Sequence, residues 1–189
     1  MNPRGKVRII AGEYRGRRIP VAQKPDLRPT PDRVRETLFN WLGQRLEGMA
    51  CLDLFAGSGA LGFEAASRGA ARVVMVESDA ALCRALEKFR DDVGTKAVQV
   101  IRGDALEYLA RLRERFDVVF LDPPFRQNAL PAVFRHLKGT NGMRVYVESN
   151  EPFDAGPDWQ EVKRARAGQV SYQLFQWRSD DQGGLSRNV

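Results

Sequence analysis

The sequence predicts an α/β protein whose Rossmann-like, doubly wound sheet has seven mostly parallel strands and ends in a C-terminal antiparallel hairpin. Two observations predict this fold. After Gly48, short apolar runs alternate with amphipathic segments, which is the βαβ repeat typical of parallel sheets. In addition, an apolar run over 51–55 leads directly into Gly57-Ser58-Gly59, a Gly-rich turn that opens a helix. A small basic N-terminal β-hairpin and one helix precede the sheet.

The first predicted elements are the two strands of the basic hairpin. Ile9, Ile10 and Ile19 predict short strands on either side of Arg15-Gly16-Arg17-Arg18. Residues 1–35 contain ten Lys/Arg and three Asp/Glu, so the basic character of the chain lies at this end. A charge run alone favours a solvated basic arm, but an ordered hairpin is better suited to hold a polyanion. The candidate phosphate contacts are Arg4, Lys6, Arg8, Arg15, Arg17, Arg18 and Arg28.

A proline-rich linker and a helix follow the hairpin. Four prolines between positions 20 and 31 predict an extended chain, and Thr30-Pro31 predicts the N-cap and first residue of a helix. Apolar residues at helical spacing then predict a face that packs on the core, formed by Val34, Leu38, Trp41, Leu42 and Leu46.

Strands and helices alternate along the rest of the chain. Strands are predicted over 49–55, 73–76, 97–101, 118–121 and 144–147, and helices up to about 68 and over 79–92, 106–113 and 130–137. The closing hairpin is predicted over 159–162 and 169–177. The basic run Lys163-Arg164-Ala165-Arg166 and Gly168 separate its two strands.

Composition limits the class of protein. With 189 residues, the chain is expected to form one catalytic domain over 31–178, between the basic segment 1–30 and a flexible polar tail over 179–189. No apolar stretch approaches the roughly 20 residues of a membrane span, and the N-terminus lacks the apolar segment of a signal peptide. Cys51 and Cys83 fit the reduced thiols of a cytoplasmic protein. Neither has other potential metal ligands at a suitable spacing, so no metal site is expected.

Acidic side chains end four successive predicted strands, at Asp53, Glu77, Asp104 and Asp122. Open α/β sheets bind ligands at this edge, where a carboxylate such as Glu77 can accept both hydroxyls of a ribose. The Gly-rich turn alone is equally compatible with NAD or with a structural turn, and helix capping is an alternative for Glu77 and Asp104. A ring of carboxylates, however, repels a dinucleotide's phosphates and suits the sulfonium of S-adenosylmethionine (SAM). The cofactor contacts expected here are Asp53, Phe55, Gly57, Ser58, Gly59, Glu77, Ser78, Asp104 and Ala105.

The predicted strand over 118–121 ends at Asp122-Pro123-Pro124-Phe125, the most informative motif of the chain. The two prolines provide no ladder donors and hold the residues before them extended, which fixes the Asp122 carboxyl and the Pro123 carbonyl. These two acceptors suit a planar amine, and Phe125 can cover the ring that carries it. The alternative is that Asp122 caps a turn and Phe125 belongs to the core.

The sequence resembles class I SAM-dependent methyltransferases, and specifically the RsmD family of small-subunit rRNA guanine-N2 methyltransferases. The resemblance covers nearly the whole chain to about Trp177 and is carried by segments 8–12, 15–17, 28–42, 52–62 and 122–125. The Gly-rich and Asp-Pro-Pro motifs are shared by many amino-methylating enzymes, whereas segment 28–42 and the basic hairpin are more family-specific. Ala11, in place of a second glycine, and the last strand, which does not end in a Leu-Tyr pair, depart from the family pattern.

The resemblance implies methyl transfer from SAM to the N2 of one guanine of 16S rRNA, conventionally numbered 966, during or after assembly of the 30S particle. It implies that Asp122 and the Pro123 carbonyl accept the amine hydrogens and that Phe125 stacks on the guanine. Thr30 and Arg33 are further candidates to close over the cofactor, with an ordinary N-cap and a solvated arginine as alternatives.

Other functions remain open from the residues alone. They are amino-methylation of adenine N6 in DNA or RNA, amino-methylation of glutamine N5 in a protein, and a role as a non-catalytic RNA-binding assembly factor. We expect a monomer that binds naked RNA weakly and in a salt-sensitive manner.

Overall fold

The structure is a computed structural model that describes residues 5–21, 30–124, 128–137 and 139–178. In these residues the chain forms a two-stranded hairpin and a seven-stranded sheet. The strands are β1 (Lys6–Arg8), β2 (Arg18–Pro20), β3 (Ala50–Asp53), β4 (Arg72–Glu77), β5 (Val98–Arg102), β6 (Val118–Leu121), β7 (Arg144–Ser149), β8 (Trp159–Ala167) and β9 (Val170–Trp177). The helices are α1 (Asp32–Trp41), α2 (Ala60–Ser67), α3 (Ala80–Val93), α4 (Ala105–Arg111) and α5 (Leu130–His136).

The large sheet has the strand order β5-β4-β3-β6-β7-β9-β8. Neighbouring strands from β5 to β7 are parallel, whereas β9 is antiparallel to both β7 and β8. The chain proceeds from β3 outward to β5 and then returns to β6 on the other side of β3, so the switch point lies between β3 and β6. The predicted doubly wound sheet with its C-terminal antiparallel hairpin is confirmed.

Helices cover both faces of the sheet. Successive strand residues point to opposite faces, and the apolar residues on each face are buried under helices. On one face, α1, α2 and α3 pack in a core that includes Phe39, Phe63 and Phe120. On the other face, α4 and α5 pack in a core that includes Leu109 and Val133. In the described part of the chain, no helix is both long and apolar enough to cross a membrane.

The N-terminal hairpin is bound to the core through the buried carboxylate of Glu64 in α2. Its oxygens accept hydrogen bonds from the Ile10 and Ala11 backbone N–H groups at 2.8 and 3.1 Å. They also accept from Arg35 Nη1 at 3.2 Å and from Arg68 Nε at 2.8 Å. The side chains of Glu64 and Arg35 have no exposed surface. This ion pair therefore joins the hairpin, α1 and α2 into one unit.

The turn of the hairpin packs closely against the C-terminal end of α2. The φ of Gly12 is +82°, and a Cβ atom there would lie 1.7 Å from the Ser67 carbonyl oxygen. The Tyr14 N–H donates a hydrogen bond to the Ser67 hydroxyl at 2.9 Å. Beside it, the Arg17 guanidinium donates to the Asp92 carbonyl at 2.9 Å, near the end of α3. Glycine at position 12 is therefore required for the hairpin to dock.

Two predictions about the N-terminal elements are wrong in detail. Ile9 and Ile10 follow β1 and do not form it, although Ile19 lies in β2 as predicted. The N-cap of α1 is Pro31, and the Thr30 hydroxyl donates to Glu148 instead of accepting from the helix. Most of the predicted linker lies outside the described residues, as does the tail 179–189.

The basic run Lys163-Arg164-Ala165-Arg166 also differs from its prediction. It lies within β8, and the hairpin turn comes later, after Ala167, where Ala167 pairs with Val170. Charged side chains are tolerated there because β8 is the edge strand of the sheet that the described residues form. An irregularity of the pairing between Glu161 and Lys163 is a β-bulge, which edge strands commonly contain.

Candidate active site

Four sequence-predicted carboxyl groups meet at one edge of the sheet. Asp53 and Glu77 are the last residues of β3 and β4, and Asp104 and Asp122 closely follow β5 and β6. These strands are parallel neighbours, so their carboxyl ends lie side by side. The four acids therefore flank the switch point, which is the ligand-binding position of open α/β sheets.

Asp53, at the end of β3, fixes the first turn of α2 on the sheet. Its residue surface is only 2% exposed, and Oδ2 accepts a hydrogen bond from the Gly62 N–H at 3.0 Å. A Cβ atom at Gly62 would approach Met75 Cε to 2.4 Å and Asp53 Oδ2 to 3.2 Å, so the start of α2 packs closely on β3 and β4 at this position. Burial, with smaller contributions from the nearby charges of Glu77 and Glu148, raises the pKa of Asp53 to about 7, although the Gly62 N–H hydrogen bond acts to lower it.

The Gly-rich turn is braced by Glu77. Its Oε2 accepts a hydrogen bond from the Gly57 N–H at 2.9 Å, and its Oε1 accepts one from the Asp79 N–H at 2.8 Å. Gly57 and Gly59 have φ values of 53° and 77°, which favour glycine. Because a carboxylate already occupies the Gly57 N–H, this turn is unsuited to receive a pyrophosphate at that group.

The other predicted cofactor contacts near the turn differ in exposure. Phe55 is half-buried, Ser58 is buried and Ser78 is exposed beside the Glu77 carboxylate. All three follow or lie close to strand ends, where a nucleoside bound against the Gly-rich turn would meet them.

Asp104 is the N-cap of α4. Its Oδ1 accepts hydrogen bonds from the Leu106 and Glu107 N–H groups at 2.8 and 3.0 Å, and Ala105 is the first residue of the helix. The capping alternative for Asp104 is therefore realised. The residue is also exposed at the ligand-binding edge, so capping by one oxygen does not prevent the carboxyl group from meeting a ligand.

The motif that is predicted to bind an amine, Asp122 to Phe125, is called the amine motif here, and its first residue directly follows β6. Asp122 is half-buried, Pro123 is buried and Pro124 is exposed, while Phe125 lies outside the described residues. Burial raises the pKa of Asp122 well above its usual range, and the negative charges of Glu148 and Asp53 add to this effect. This carboxyl group therefore keeps its proton to a higher pH than a solvent-exposed aspartate does.

Glu148 in β7 is a site residue that sequence reasoning missed. Its Oε1 accepts hydrogen bonds from the Thr30 hydroxyl at 2.8 Å and from the Tyr146 hydroxyl at 2.9 Å, and all three residues are buried. The sequence prediction ends this strand at 147, one residue before the acid. The rule that identified acids at the other strand ends would have found Glu148 if the strand had been extended by one residue.

Thr30 and Arg33 flank the first residue of α1 and differ in exposure. Thr30 is buried and bonded to Glu148, whereas Arg33 is exposed and makes no ion pair with the described residues. The hydrogen bond from Thr30 to Glu148 therefore attaches the segment before α1 to the sheet edge that carries the amine motif.

Three candidate phosphate contacts, Lys6, Arg15 and Arg18, are exposed and form no ion pair with the described part of the chain. Arg15 lies in the hairpin turn, beside the C-terminal end of α2, while the Gly-rich turn lies at its N-terminal end. Since α2 has 8 residues, the two ends are about 12 Å apart along the helix. The hairpin is therefore placed to contact a large substrate away from the reacting group.

The other basic candidates are engaged or lie elsewhere. Arg17 is hydrogen-bonded to the end of α3, and the Arg8 guanidinium lies 3.7 Å from an Asp32 carboxylate oxygen. Arg4 and Arg28 lie outside the described residues.

The site residues fit S-adenosylmethionine by the chemistry of their side chains. The sulfonium and ammonium groups of that cofactor are cations, and its ribose hydroxyls and adenine amine are hydrogen-bond donors. The sheet edge offers carboxyl acceptors at Asp53, Glu77, Asp104 and Asp122. This arrangement can hold a cationic nucleoside next to a second amine at Asp122.

Comparison with known proteins agrees with this geometry. The family described as Conserved hypothetical protein 95 matches residues 7–176. Ribosomal RNA small subunit methyltransferase D of Escherichia coli (strain K12) is 41% identical over 179 residues, which cover 91% of this chain and 90% of the relative. The Haemophilus influenzae protein of the same name is 42% identical over 185 residues, covering 93% and 96%. The solved structure of yhhF from Escherichia coli has a TM-score of 0.83 and 40% identity, and covers 93% of this chain and 100% of that one.

Proposed function

Since the chain belongs to the RsmD family of ribosomal RNA small subunit methyltransferases, we propose that it methylates the exocyclic N2 of a guanine in 16S rRNA. The target is the guanine conventionally numbered 966. The observation that carries the proposal is the position of the Asp122-Pro123-Pro124 motif beside the Gly-rich turn, at the switch point of the sheet.

S-adenosylmethionine is the proposed cofactor, and it supplies an electrophilic methyl group bound to a sulfonium. Glu77 would accept the ribose hydroxyls, and Asp53 and the turn at Gly57 would hold the amino-acid portion. Asp104 would meet the adenine amine with Ala105 beside it. These roles follow from the acceptors that each strand end presents.

The guanine N2 is a weak nucleophile, because its lone pair is conjugated into the ring. The ionised Asp122 carboxyl and the Pro123 carbonyl would accept its two hydrogens, which orients the nitrogen and increases its electron density. As the N–C bond forms, the S–C bond breaks, and the nitrogen then loses one proton. Phe125 would stack on the guanine after the base has left its loop.

The proposed partner is small-subunit rRNA within an assembled or partly assembled 30S particle, contacted in part by Lys6, Arg15 and Arg18. Their exposed and unpaired state among the described residues supports this assignment. An rRNA substrate also implies that the protein acts in the cytoplasm, and we propose that it does so as a monomer.

Asp122→Ala tests the catalytic assignment. The variant should bind SAM with unchanged affinity in calorimetry, because Asp122 is assigned to the amine and not to the cofactor. Methyl transfer to small ribosomal subunits should fall by about 100-fold or more, since a key hydrogen-bonding group of the transition state is lost. Asp158→Ala is the matched control, because Asp158 is exposed just before β8, at the opposite edge of the sheet. Full activity of the Asp122 variant would contradict the assignment.

A further inference from the structure

Glu148 lies next to Asp122 across the β6–β7 ladder. The two strands are parallel and in register through Leu121 and Val147, so Asp122 and Glu148 follow at the same level of the sheet. Residues 120 and 146 belong to the core under α1, whereas 121 and 147 belong to the opposite core. By alternation, the side chains of Asp122 and Glu148 both point toward α1.

The two carboxyl groups are stabilised unequally. Glu148 accepts hydroxyl hydrogen bonds from Thr30 on the α1 side and from Tyr146 within its own strand. Two donors directed at one carboxylate oxygen stabilise its ionised form. Asp122 receives no side-chain hydrogen bond from the described residues. The negative charge is therefore held more favourably at Glu148 than at Asp122.

Among the described residues, no cation is paired with Asp122 or Glu148. From β3, Asp53 adds a further acid, and from β7, Tyr146 donates its hydroxyl hydrogen to Glu148. At the start of α1, Arg33 is exposed and Asp32 is bonded to Arg35. Neighbouring carboxyl groups without a cation do not both ionise readily, as in the carboxyl pairs of acid–base enzymes.

We infer that Glu148, with Thr30 and Tyr146 as its donors, is a positioning residue of the amine site that keeps a proton on Asp122 until the sulfonium of the methyl donor is bound. The inference rests on the proposed function. In the free protein, Asp122 and Glu148 share one negative charge. A bound sulfonium supplies the missing positive charge, and the Asp122 proton leaves to solvent. The hydrogen-bond acceptor for the guanine amine is then formed only when the methyl donor is in place.

Proton release during cofactor binding tests this inference without turnover. Calorimetric titration of the full-length protein near pH 7, in buffers of different ionisation enthalpy, gives the number of protons released per ligand. S-adenosylmethionine and S-adenosylhomocysteine are the matched ligands, because they share the nucleoside and the ammonium group and differ in the methylated, positively charged sulfur. Any proton released from Asp53 by the ammonium group is common to both and cancels in the difference.

The wild-type protein should release more protons with S-adenosylmethionine than with S-adenosylhomocysteine. Asp122→Asn should abolish this difference. Glu148→Gln should reduce it, because Asp122 without this charged neighbour has a lower pKa and is ionised to a larger fraction before the ligand binds, while burial still raises that pKa. The acidic limb of the pH profile of kcat/KM should shift to lower pH in Glu148→Gln, an effect that a purely structural role of Glu148 would not produce.

Tyr146→Phe provides a second variant if Glu148→Gln does not fold. It keeps the buried ring and removes one donor from Glu148, so the charge moves toward Asp122 and the proton difference should decrease. Equal proton release with the two ligands in the wild-type protein would overturn the inference and leave the proposed function intact. An undiminished difference in the Glu148 or Tyr146 variant would do the same. Absence of binding by either ligand would overturn the proposed function, and this inference with it.

Discussion

Glu64→Gln should destabilise the protein strongly, because it keeps the shape of a buried side chain and removes its charge. Each carboxylate oxygen accepts one backbone N–H and one arginine N–H, at distances from 2.8 to 3.2 Å. Glutamine has one acceptor oxygen, and its NH2 group would face two of these donors. Arg35, which has no exposed surface, would also lose its closest buried anion, Glu64.

The size of this effect follows from the burial of the pair. Removing one partner of a buried ion pair costs about 3–5 kcal/mol, because the other charge stays buried without compensation. Arg35 keeps its 2.7 Å contact with Asp32, so we expect the lower end, about 3 kcal/mol. For a chain of this length, that corresponds to a fall in Tm of about 6–12 °C.

Urea unfolding of the wild-type protein and the variant measures this loss. Glu87→Gln is the matched control, because Glu87 is exposed on α3, and its free energy of unfolding should change by less than about 0.5 kcal/mol. Hydrogen exchange at the Ile10 and Ala11 amides should accelerate in the Glu64 variant. A loss below about 1 kcal/mol with unchanged exchange would refute the claim that this carboxylate holds the hairpin on the core.

Three further predictions concern docking, pH and RNA. Gly12→Ala should lower the free energy of unfolding more than Gly16→Ala, since both residues have positive φ but only the first Cβ meets a backbone atom, Ser67 O at 1.7 Å; equal losses in urea unfolding would count against close docking. The raised pKa of Asp53 contributes stability that is fully present below about pH 3.8 and lost as the pH rises through about 7. As the pH rises across that range, the free energy of unfolding of the wild-type protein should therefore fall by up to about 4 kcal/mol relative to that of Asp53→Asn. Replacing Lys6, Arg15 and Arg18 by alanine should reduce the salt dependence of rRNA binding by a slope of about 2–3 with little change in single-turnover rate at saturation; an unchanged slope would exclude these side chains from the interface.

The sheet and its acidic edge could be predicted from sequence because both are local patterns. Apolar runs of strand length alternate with amphipathic helices, and this alternation predicts that β3 to β7 run parallel to one another. Asp53, Glu77, Asp104 and Asp122 each end or follow a strand, so knowing the strands was enough to bring the four residues together.

The features that sequence reasoning missed depend on contacts between distant segments. Glu64 bonds to Ile10, which is 54 positions away, and nothing in the apolar pattern of α2 distinguishes this glutamate from a solvated one. A threonine hydroxyl can cap a helix or donate a hydrogen bond to a remote acid. Thr30 donates to Glu148, which lies 118 positions away and could not be paired with it from sequence. The basic run beginning at Lys163 resembles a turn in composition, because the sequence alone does not reveal that β8 is an edge strand.

Methyl transfer to small ribosomal subunits is the decisive assay for the proposed guanine-N2 methylation. Subunits prepared from cells that lack this protein would be incubated with the purified protein and SAM carrying a labelled methyl group, and the nucleosides of the rRNA would then be separated. A labelled N2-methylguanosine is expected with the wild-type protein and should be absent when Asp122→Ala replaces it. Label in a methylated adenine, in DNA or in a protein, with none in guanine, would contradict the assignment of guanine N2 as the acceptor.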